Sequence, residues 1–385
     1  MRIYYINFLA FIIFFLNPVL GFLTCLVSIY KNSGTNISIF IYSLFVSISV
    51  LKNQIYADSI VYRDMYNNVT YDSIGEFDGY ITYKLLALFF KSFGIPYEFL
   101  PFFHVFFMVY FIGKLLMLLK DKYNFSNSQF LFMLIGLTIL SNPVVASMGQ
   151  RNSLAIILII YAIILYFNKN YIKGFLFLIF SLITHFTMFF FLIPLILSSF
   201  SKLNNLFRIF LLFCSIVLGF YFNKVSVIFF SNTGVSEFNE KYQEFTYGLG
   251  SGGQLLYSVI NYSVKFIFLA LFLFFLNKST NNDKFLVDIK NFIFYVICLC
   301  FIFMMNPIAF GRFTNYLCLI IFIYISLINA NNSNKLNLYN LFMFFFLFFY
   351  FSIFNVFPWK EPILNGKMLE AIFLSPLITF WNLFI

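Results

Sequence analysis

Charge is scarce in this sequence. Acidic and basic residues together make up 10% of its 385 residues, where a soluble domain carries roughly a quarter, so a water-facing globular fold is excluded. Cysteine is sparse too, and Cys25, Cys214, Cys298, Cys300 and Cys318 all lie inside apolar runs. Cys298 and Cys300 have no histidine or second cysteine pair beside them, so they read as small buried hydrophobes and no metal site is expected. The chain has no P-loop, no H-E-x-x-H and no G-x-S-x-G elbow. The energy for any reaction must therefore arrive in the substrate, and no cofactor is expected. The formal charge of +10 comes from lysines scattered singly over short loops. That pattern anchors loops at a membrane and excludes a nucleic-acid surface.

What fills the chain is apolar. Hydrophobic residues make up 62%, mean hydropathy is +0.91, and runs near the ~20 residues that carry a helix across a bilayer recur throughout. The expected fold class is an all-α polytopic integral membrane protein with about 10–13 transmembrane helices. Spans are predicted at 4–30, 36–51, 99–119, 128–147, 152–168, 171–198, 204–223, 254–276, 289–306, 313–329 and 337–357, with an apolar tail at 367–385. The stretch 171–198 reads either as one long helix or as two short ones hinged near His185. Arg2 precedes an apolar stretch too long for a signal-peptide core, with no small-residue cleavage site, so a retained membrane helix is expected there. Residues 1–385 read as a single transmembrane domain whose larger polar loops are 52–83 and 224–253. The abundant Phe, Tyr, Ile, Asn and Lys share AT-rich codons, so the richness in phenylalanine is no evidence of aromatic ligand binding.

Loop charge sets an orientation. One set of loops carries Lys31, Lys114, Lys120, Lys122, Lys169, Lys173, Lys202, the Lys278–Lys290 group and Lys335; the other carries Asp58, Asp64, Asp72, Glu76, Asp78, Glu237, Glu240 and Glu244. The short lysine-only loops are expected on the cytoplasmic side, with both long loops facing outward.

Arginine is the rarer cation, so its five positions are informative. Arg2 is terminal and Arg208 reads as a snorkelling anchor. Arg63 in "YADSIVYRDMY", Arg151 in "GQRNSLA" and Arg312 in "NPIAFGRFTNY" all fall on the outward side. Each alone could snorkel or pair with an acid. Three together point to an anionic ligand, since ionisable groups near the bilayer core are costly and the guanidinium fork matches phosphate oxygens in pairs. In "DSIVYRDMY", Asp58, Tyr62 and Tyr66 share one helical face; the mix suits sugar hydroxyls, and equally an ordinary interfacial helix. His185 stands about twelve residues past Lys173, or ~18 Å along a helix, at a depth from which it could approach Arg151. It reads either as a packed neutral histidine or as a base or phosphate ligand. His104 at the start of a helix is taken as structural. Lys265, mid-span in "NYSVKFIFLALF", is a second intramembrane charge and needs a partner or a water path.

This succession resembles the EpsG-like and Wzy-type polysaccharide polymerases of bacterial envelopes. The resemblance rests on Asp58–Tyr62 as "D-x-x-x-Y", Gly79–Tyr80, Arg151, Asn152 and Ala155 as "R-[QN]-x-x-A", His185 in "LITHFTMFFFLIP", and Arg312 with Tyr316 as a late "R…Y". Asn152 stands where Gln is commoner, and Ala57 where the family usually has Gly. The resemblance implies a GT-C-like helical bundle with an outward-facing cavity in the bacterial inner membrane. It implies polymerisation of undecaprenyl-diphosphate-linked oligosaccharide repeat units, as in O-antigen, capsule or exopolysaccharide synthesis. A flippase and a chain-length regulator would be its partners. Arg151 and Arg312 would then stabilise the departing diphosphate, and Asp58 or His185 would deprotonate the acceptor hydroxyl. Arg63 and Tyr62, with Asp64, Gln150, Asn152 and Tyr316, would contact substrate. The alternatives are a flippase of the same lipid-linked sugars, which would carry matching internal halves, and a membrane acyltransferase using His185, which would need a cytoplasmic route to its donor.

Overall fold

The computed structural model describes residues 2–32, 36–51, 58–74, 80–200, 205–231, 263–274, 276, 283–331 and 344. Those residues are helices and short connections with no strand among them, and the protein is an all-α polytopic membrane protein. Four described helices are long and apolar enough to cross a bilayer: Phe99–Tyr123, Gln150–Phe167, Lys284–Ile302 and Ala309–Ala330. Two compact units are present, one built on Met1–Met188 and the other on Phe189–Ile328. The spans expected at 337–357 and 367–385 lie outside the described residues.

In the first unit the opening segment differs from expectation. Residues 4–30 are not one span but a hairpin of α1 (Arg2–Leu16) and α2 (Pro18–Asn32). Each helix is about 22 Å long at 1.5 Å per residue, short of the ~30 Å hydrocarbon core. The break follows from Pro18, which has no N–H to donate and biases Asn17 away from the helical region. The Asn17 side chain then accepts from the Leu20 amide at 3.1 Å and starts α2 afresh. The arms fold so closely that Gly21 packs on the Phe14 backbone, with no room for a side chain. Deeper in the hairpin the Asn7 side-chain oxygen accepts from Ser28 and, at 2.7 Å, from Ser38 of α3 (Asn36–Ile48). These buried polar groups satisfy one another, which an apolar environment demands.

Next come α4 (Asp58–Asn68) and α5 (Ile81–Ser92), within and just after the first long polar loop, then α6 (Phe99–Tyr123) and α7 (Asn127–Ser141). After α8 (Pro143–Met148), α9 (Gln150–Phe167) and α10 (Tyr171–Thr184) form an antiparallel pair. The unit has two chemically distinct ends. At one, Lys114 donates to Asn36 at 2.6 Å, Lys122 to Asn168 at 2.6 Å and Lys120 to Asn127 at 2.8 Å. At the other lie the start of α9, the start of α5 and the end of α10.

The α9–α10 register is fixed by two close approaches. Ser181 donates to the Ala155 carbonyl at 2.8 Å, and Gly174 lies so near α9 that a Cβ there would stand 3.2 Å from the Ala162 carbonyl oxygen. Small residues allow backbones to meet in this way inside a membrane. The opposite face of α10 exposes Ile172, Phe175, Leu176, Phe180 and Ile183, a lipid-facing stripe. α10 ends at His185, so the 171–198 segment is broken at that residue, and a 3-10 turn at Phe186–Phe191 follows.

The second unit contains α11 (Leu192–Phe200), α12 (Asn205–Ser231), α13 (Ser263–Phe274), α14 (Lys284–Ile302) and α15 (Pro307–Asn331). α14 and α15 start five and six residues earlier than the apolar runs imply, because Asp283 accepts from the Phe285 amide at 3.0 Å and Asn306 from the Ala309 amide at 3.0 Å. Residues 224–231 of the second long polar loop continue α12, and the rest of that loop lies outside the described residues. Arg208, expected as an anchor, donates to Asn291 of α14 at 2.8 Å.

The α9–α10 register is testable. Gly174→Val should destabilise the protein by ~1–3 kcal/mol through overpacking, seen as a lower unfolding temperature in detergent, whereas Ile172→Val on the exposed face should change it little. Equal unfolding temperatures for the Gly174 variant and the parent would refute the close approach.

Candidate functional site

Arg151 owes its place to two helix breaks. Asn142 adopts a left-handed conformation (φ 46°) that ends α7, and its side chain accepts from the Val145 amide at 3.3 Å. Asparagine tolerates that region better than most residues, and Pro143 at the first helical position starts α8. Gly149 then separates α8 from α9, so Gln150 and Arg151 form the first turn of a new helix. Arg151 is only 7% exposed. Its guanidinium carbon stands 3.4 Å from the Tyr80 ring centroid, and its Nε donates to the Tyr62 hydroxyl at 3.2 Å. A cation flat on an aromatic face and bonded at one edge is held in a single orientation.

The tyrosines that hold it are themselves anchored. Tyr62 and Tyr66 lie on the buried face of α4, as their spacing predicts. The Tyr62 carbonyl accepts from the Tyr83 hydroxyl at 2.7 Å, and the two rings pack 4.8 Å apart. Tyr66 donates to the Ile95 carbonyl, and Tyr97 donates to the Ser59 carbonyl at 3.0 Å. Burial raises the phenols of Tyr97 and Tyr66 above their usual range; at Tyr97 a hydrogen bond from Gln150 partly offsets it, and at Tyr66 the Glu98 charge adds to it. Both remain protonated donors. Lys84 donates to the Ser73 carbonyl at 2.8 Å and Lys91 to the Asn67 carbonyl at 2.7 Å, tying the α4–α5 connection to α5.

His185 reaches the level of Arg151. Ser181 faces Ala155 and Gly174 faces Ala162, seven residues further along each helix; carried four residues the other way, the same register brings His185 opposite Arg151. A second tie agrees with it. The carbonyl of Ile183, in the last turn of α10, accepts from Thr82 at 2.7 Å, and Thr82 is two residues from the Tyr80 that stacks on Arg151. At His185 the Nδ1 atom accepts from the Thr187 backbone amide at 3.3 Å and lies 2.7 Å from the Thr187 hydroxyl. A backbone amide can only donate, so the neutral ring carries its proton on Nε2. His104 holds the opposite tautomer, since its Nδ1 donates to the Leu100 carbonyl at 2.8 Å.

The other candidate residues are distributed as follows. The side chain of Asp58, the first residue of α4, lies outside the described residues. Arg63 and Asp64 are exposed on the face of α4 away from Tyr62 and Tyr66. Gln150 is fully buried: its amide nitrogen donates to the Tyr97 hydroxyl at 3.0 Å, and its oxygen meets no hydrogen-bond donor among the described residues. Asn152 is half-buried in the first turn of α9, and its amide donates to the Gly149 carbonyl at 3.0 Å. In the second unit Arg312 is exposed on α15, and Tyr316 is buried one turn on, its ring 6.1 Å from that of Phe191.

Sequence reasoning did not single out Tyr83 and Tyr97 as site residues, and it noted Tyr80 only as half of a Gly–Tyr pair. The available signal was the density of tyrosine in "GYITYKLL" and "IPYEF", flanking a lysine and an acid rather than lying inside a span. Gly248, Gly250 and Gly253 fit G-x-G-x-x-G, but the segment lies outside the described residues, and a dinucleotide turn needs a preceding strand. Among the described residues no three His, Cys, Asp or Glu side chains come together as a metal site.

The sequence model of the EpsG family, a family associated with Wzy-type polymerases, matches residues 35–364. No curated protein and no solved structure matches the chain. The family match runs over most of the chain and takes in the Arg151 cluster, His185 and Arg312. The chain therefore belongs to the EpsG family, and its role is that of a polysaccharide polymerase-like membrane protein.

Proposed function

We propose that the protein polymerises lipid-diphosphate-linked oligosaccharide repeat units at the outer face of the bacterial inner membrane, passing the nascent glycan from one undecaprenyl diphosphate to an incoming lipid-linked unit. One observation carries this reading: a buried guanidinium, clamped by Tyr80 and Tyr62, at the same level as a histidine whose tautomer is fixed. In the reaction the acceptor hydroxyl oxygen forms the new bond to the anomeric carbon. The bond from that carbon to the diphosphate breaks, and the diphosphate leaves with the electron pair. Arg151 stabilises the developing negative charge with its terminal amino groups, whose geometry matches two phosphate oxygens. Arg312 serves the same class of anion from the second unit.

The hydroxyl proton must go to a base. In the tautomer that Thr187 fixes, His185 offers an N–H from Nε2 rather than a lone pair. We therefore assign His185 to hydrogen-bond donation toward an anionic oxygen and Asp58 to the role of general base. Tyr62 is assigned to the sugar beside Arg151, and the exposed Arg63 and Asp64, on the other face of α4, to a separate part of the oligosaccharide. Gln150 acts through Tyr97, holding the α4–α5 platform in place, and Asn152 and Tyr316 support the two arginines within their own helices.

Arg151→Ala and Arg312→Ala should each abolish long polymer while leaving surface sugar with a single repeat on a gel of envelope glycans. Arg151→Lys should fail almost as badly, because an ammonium keeps the charge and loses both the fork and the flat stack on Tyr80. Full-length chains from both alanine variants would sink the diphosphate assignment.

The division between His185 and Asp58 has its own test. A glutamine amide can take the place of an Nε2–H donor, so His185→Gln should retain about a tenth or more of the polymerisation rate. Asp58→Asn should lose on the order of 10²–10⁴-fold, as removal of a general base does. An inactive glutamine variant beside an active Asp58→Asn would reverse the two roles.

A further inference from the structure

The end of α10 exchanges one hydrogen bond for two others. In a continued helix the Thr187 amide would donate to the carbonyl of Ile183, four residues back. Here that amide donates to Nδ1 of His185 at 3.3 Å, and the Ile183 carbonyl accepts from the Thr82 hydroxyl at 2.7 Å. The carbonyl needs such a donor, because the last turns of a helix leave their carbonyls unpaired and the exposed side chains at this end are apolar: Phe180, Ile183 and Phe186. Thr82 stands in for the Thr187 amide and releases it to the imidazole. His185 itself is extended (φ −153°, ψ 113°), between α10 and the 3-10 turn.

The other histidine displays the alternative. His104 lies within the unbroken α6, and its Nδ1–H turns back on that helix, 2.8 Å from the carbonyl of Leu100 four residues earlier. For His185 the corresponding acceptor is the carbonyl of Ser181, which already takes the His185 backbone amide at 2.9 Å. Were α10 to continue past Thr187, residues 185 and 187 would lie on different faces of the helix. Neither the amide nor the hydroxyl of Thr187 would then reach Nδ1, and the bond made by His104 would be open to His185. The tautomer of His185 depends on the helix break, and the break depends on a donor from α5.

That donor stands next to the clamp on Arg151. Tyr80, whose ring lies on the guanidinium, immediately precedes α5, and its carbonyl accepts from the Lys84 amide at 2.9 Å to open the helix. Thr82 is the second residue of the same turn. One turn of α5 presents an aromatic face to α9 and a hydroxyl to α10.

We propose that Thr82 is a positioning residue: its hydroxyl keeps α10 broken at His185 and so keeps the proton of that imidazole on Nε2. The consequence for catalysis rests on the polymerase reading above, which gives the Nε2–H its use; the consequence for the histidine does not.

The full chain has two histidines, so labelling histidine with 15N and 13C and recording spectra of the protein in lipid reads both rings and shows which nitrogen carries each proton. The His185→Gln spectrum, which lacks one set of signals, assigns them. In the parent, His185 should carry its proton on Nε2 and His104 on Nδ1. Thr82→Val keeps the shape of the side chain without its hydroxyl. It should move His185 toward the Nδ1–H form, leave His104 unchanged, and lower the polymerisation rate by about tenfold or more, as misplacement of a group at the reaction centre does. Thr82→Ser restores the donor and should recover the parent spectrum, with a rate within about threefold of the parent. Should Thr82→Val fail to fold, Thr82→Ala removes the same hydroxyl with a smaller side chain suited to a helix and should give the same change. A parent-like His185 spectrum without the Thr82 hydroxyl overturns the proposal, and so does a converted His185 in a chain that polymerises at the parent rate. Full-length polymer from the Arg151 and Arg312 variants would instead remove the polymerase reading and leave the histidine spectra to decide what Thr82 does.

Discussion

The first unit is organised around one demand: a guanidinium buried at the start of a membrane helix must be compensated. Removing such a charge from water costs several kcal/mol even after relaxation, and Arg151 is almost fully enclosed. Tyr80 compensates with a ring face and Tyr62 with a hydroxyl. These two contacts take the face and the Nε edge of the guanidinium.

That choice has consequences for the neighbouring elements. Phenols orient a cation only if the phenols are themselves fixed, and here each carries a second duty. Tyr83, Tyr66 and Tyr97 tie α4, α5 and the turn before α6 together through backbone carbonyls. Gln150, beside Arg151 in the same helical turn, closes the circuit by donating to Tyr97. The α9–α10 pair adds the remaining side chain: Gly174 and Ser181 set the register of the two helices, His185 follows at the end of α10, and Thr187 then sets its tautomer. Position comes from packing, and protonation comes from one backbone amide.

Much of this was legible in the sequence, and the exceptions have physical reasons. The membrane class followed from the scarcity of charge, and the opening of α9 at Arg151 from polar residues between two apolar runs. The hinge at His185 was visible as a polar interruption, but its level beside Arg151 was not, because register depends on which small residues meet across two helices. The hairpin at Asn17–Pro18 was hidden because both arms are apolar and hydropathy cannot distinguish a fold-back from a crossing. Helix α5 and its tyrosines were hidden for the opposite reason, since a short mixed helix gives too little apolar signal to stand out from the polar loop it borders. Gln150 read as a ligand contact by its place beside Arg151; its burial and its bond to Tyr97 depend on side-chain direction at a helix start, which spacing alone does not determine.

The two kinds of cation are used differently for reasons of shape. The lysines of α5 and α6 reach the backbone carbonyls of Ser73 and Asn67 and the side-chain oxygens of Asn36 and Asn168; a compact ammonium on a flexible stem can end on whichever acceptor lies within reach. Arg151 cannot be used that way, because a planar fork bonded at Nε and stacked on Tyr80 has one orientation. Lys265 fits neither pattern. It has the adaptable head of the structural lysines, but its described surroundings offer an aromatic ring, two thiols and a bare glycine in place of carbonyl acceptors. A lysine that ties helices together is recognised by the acceptors around it.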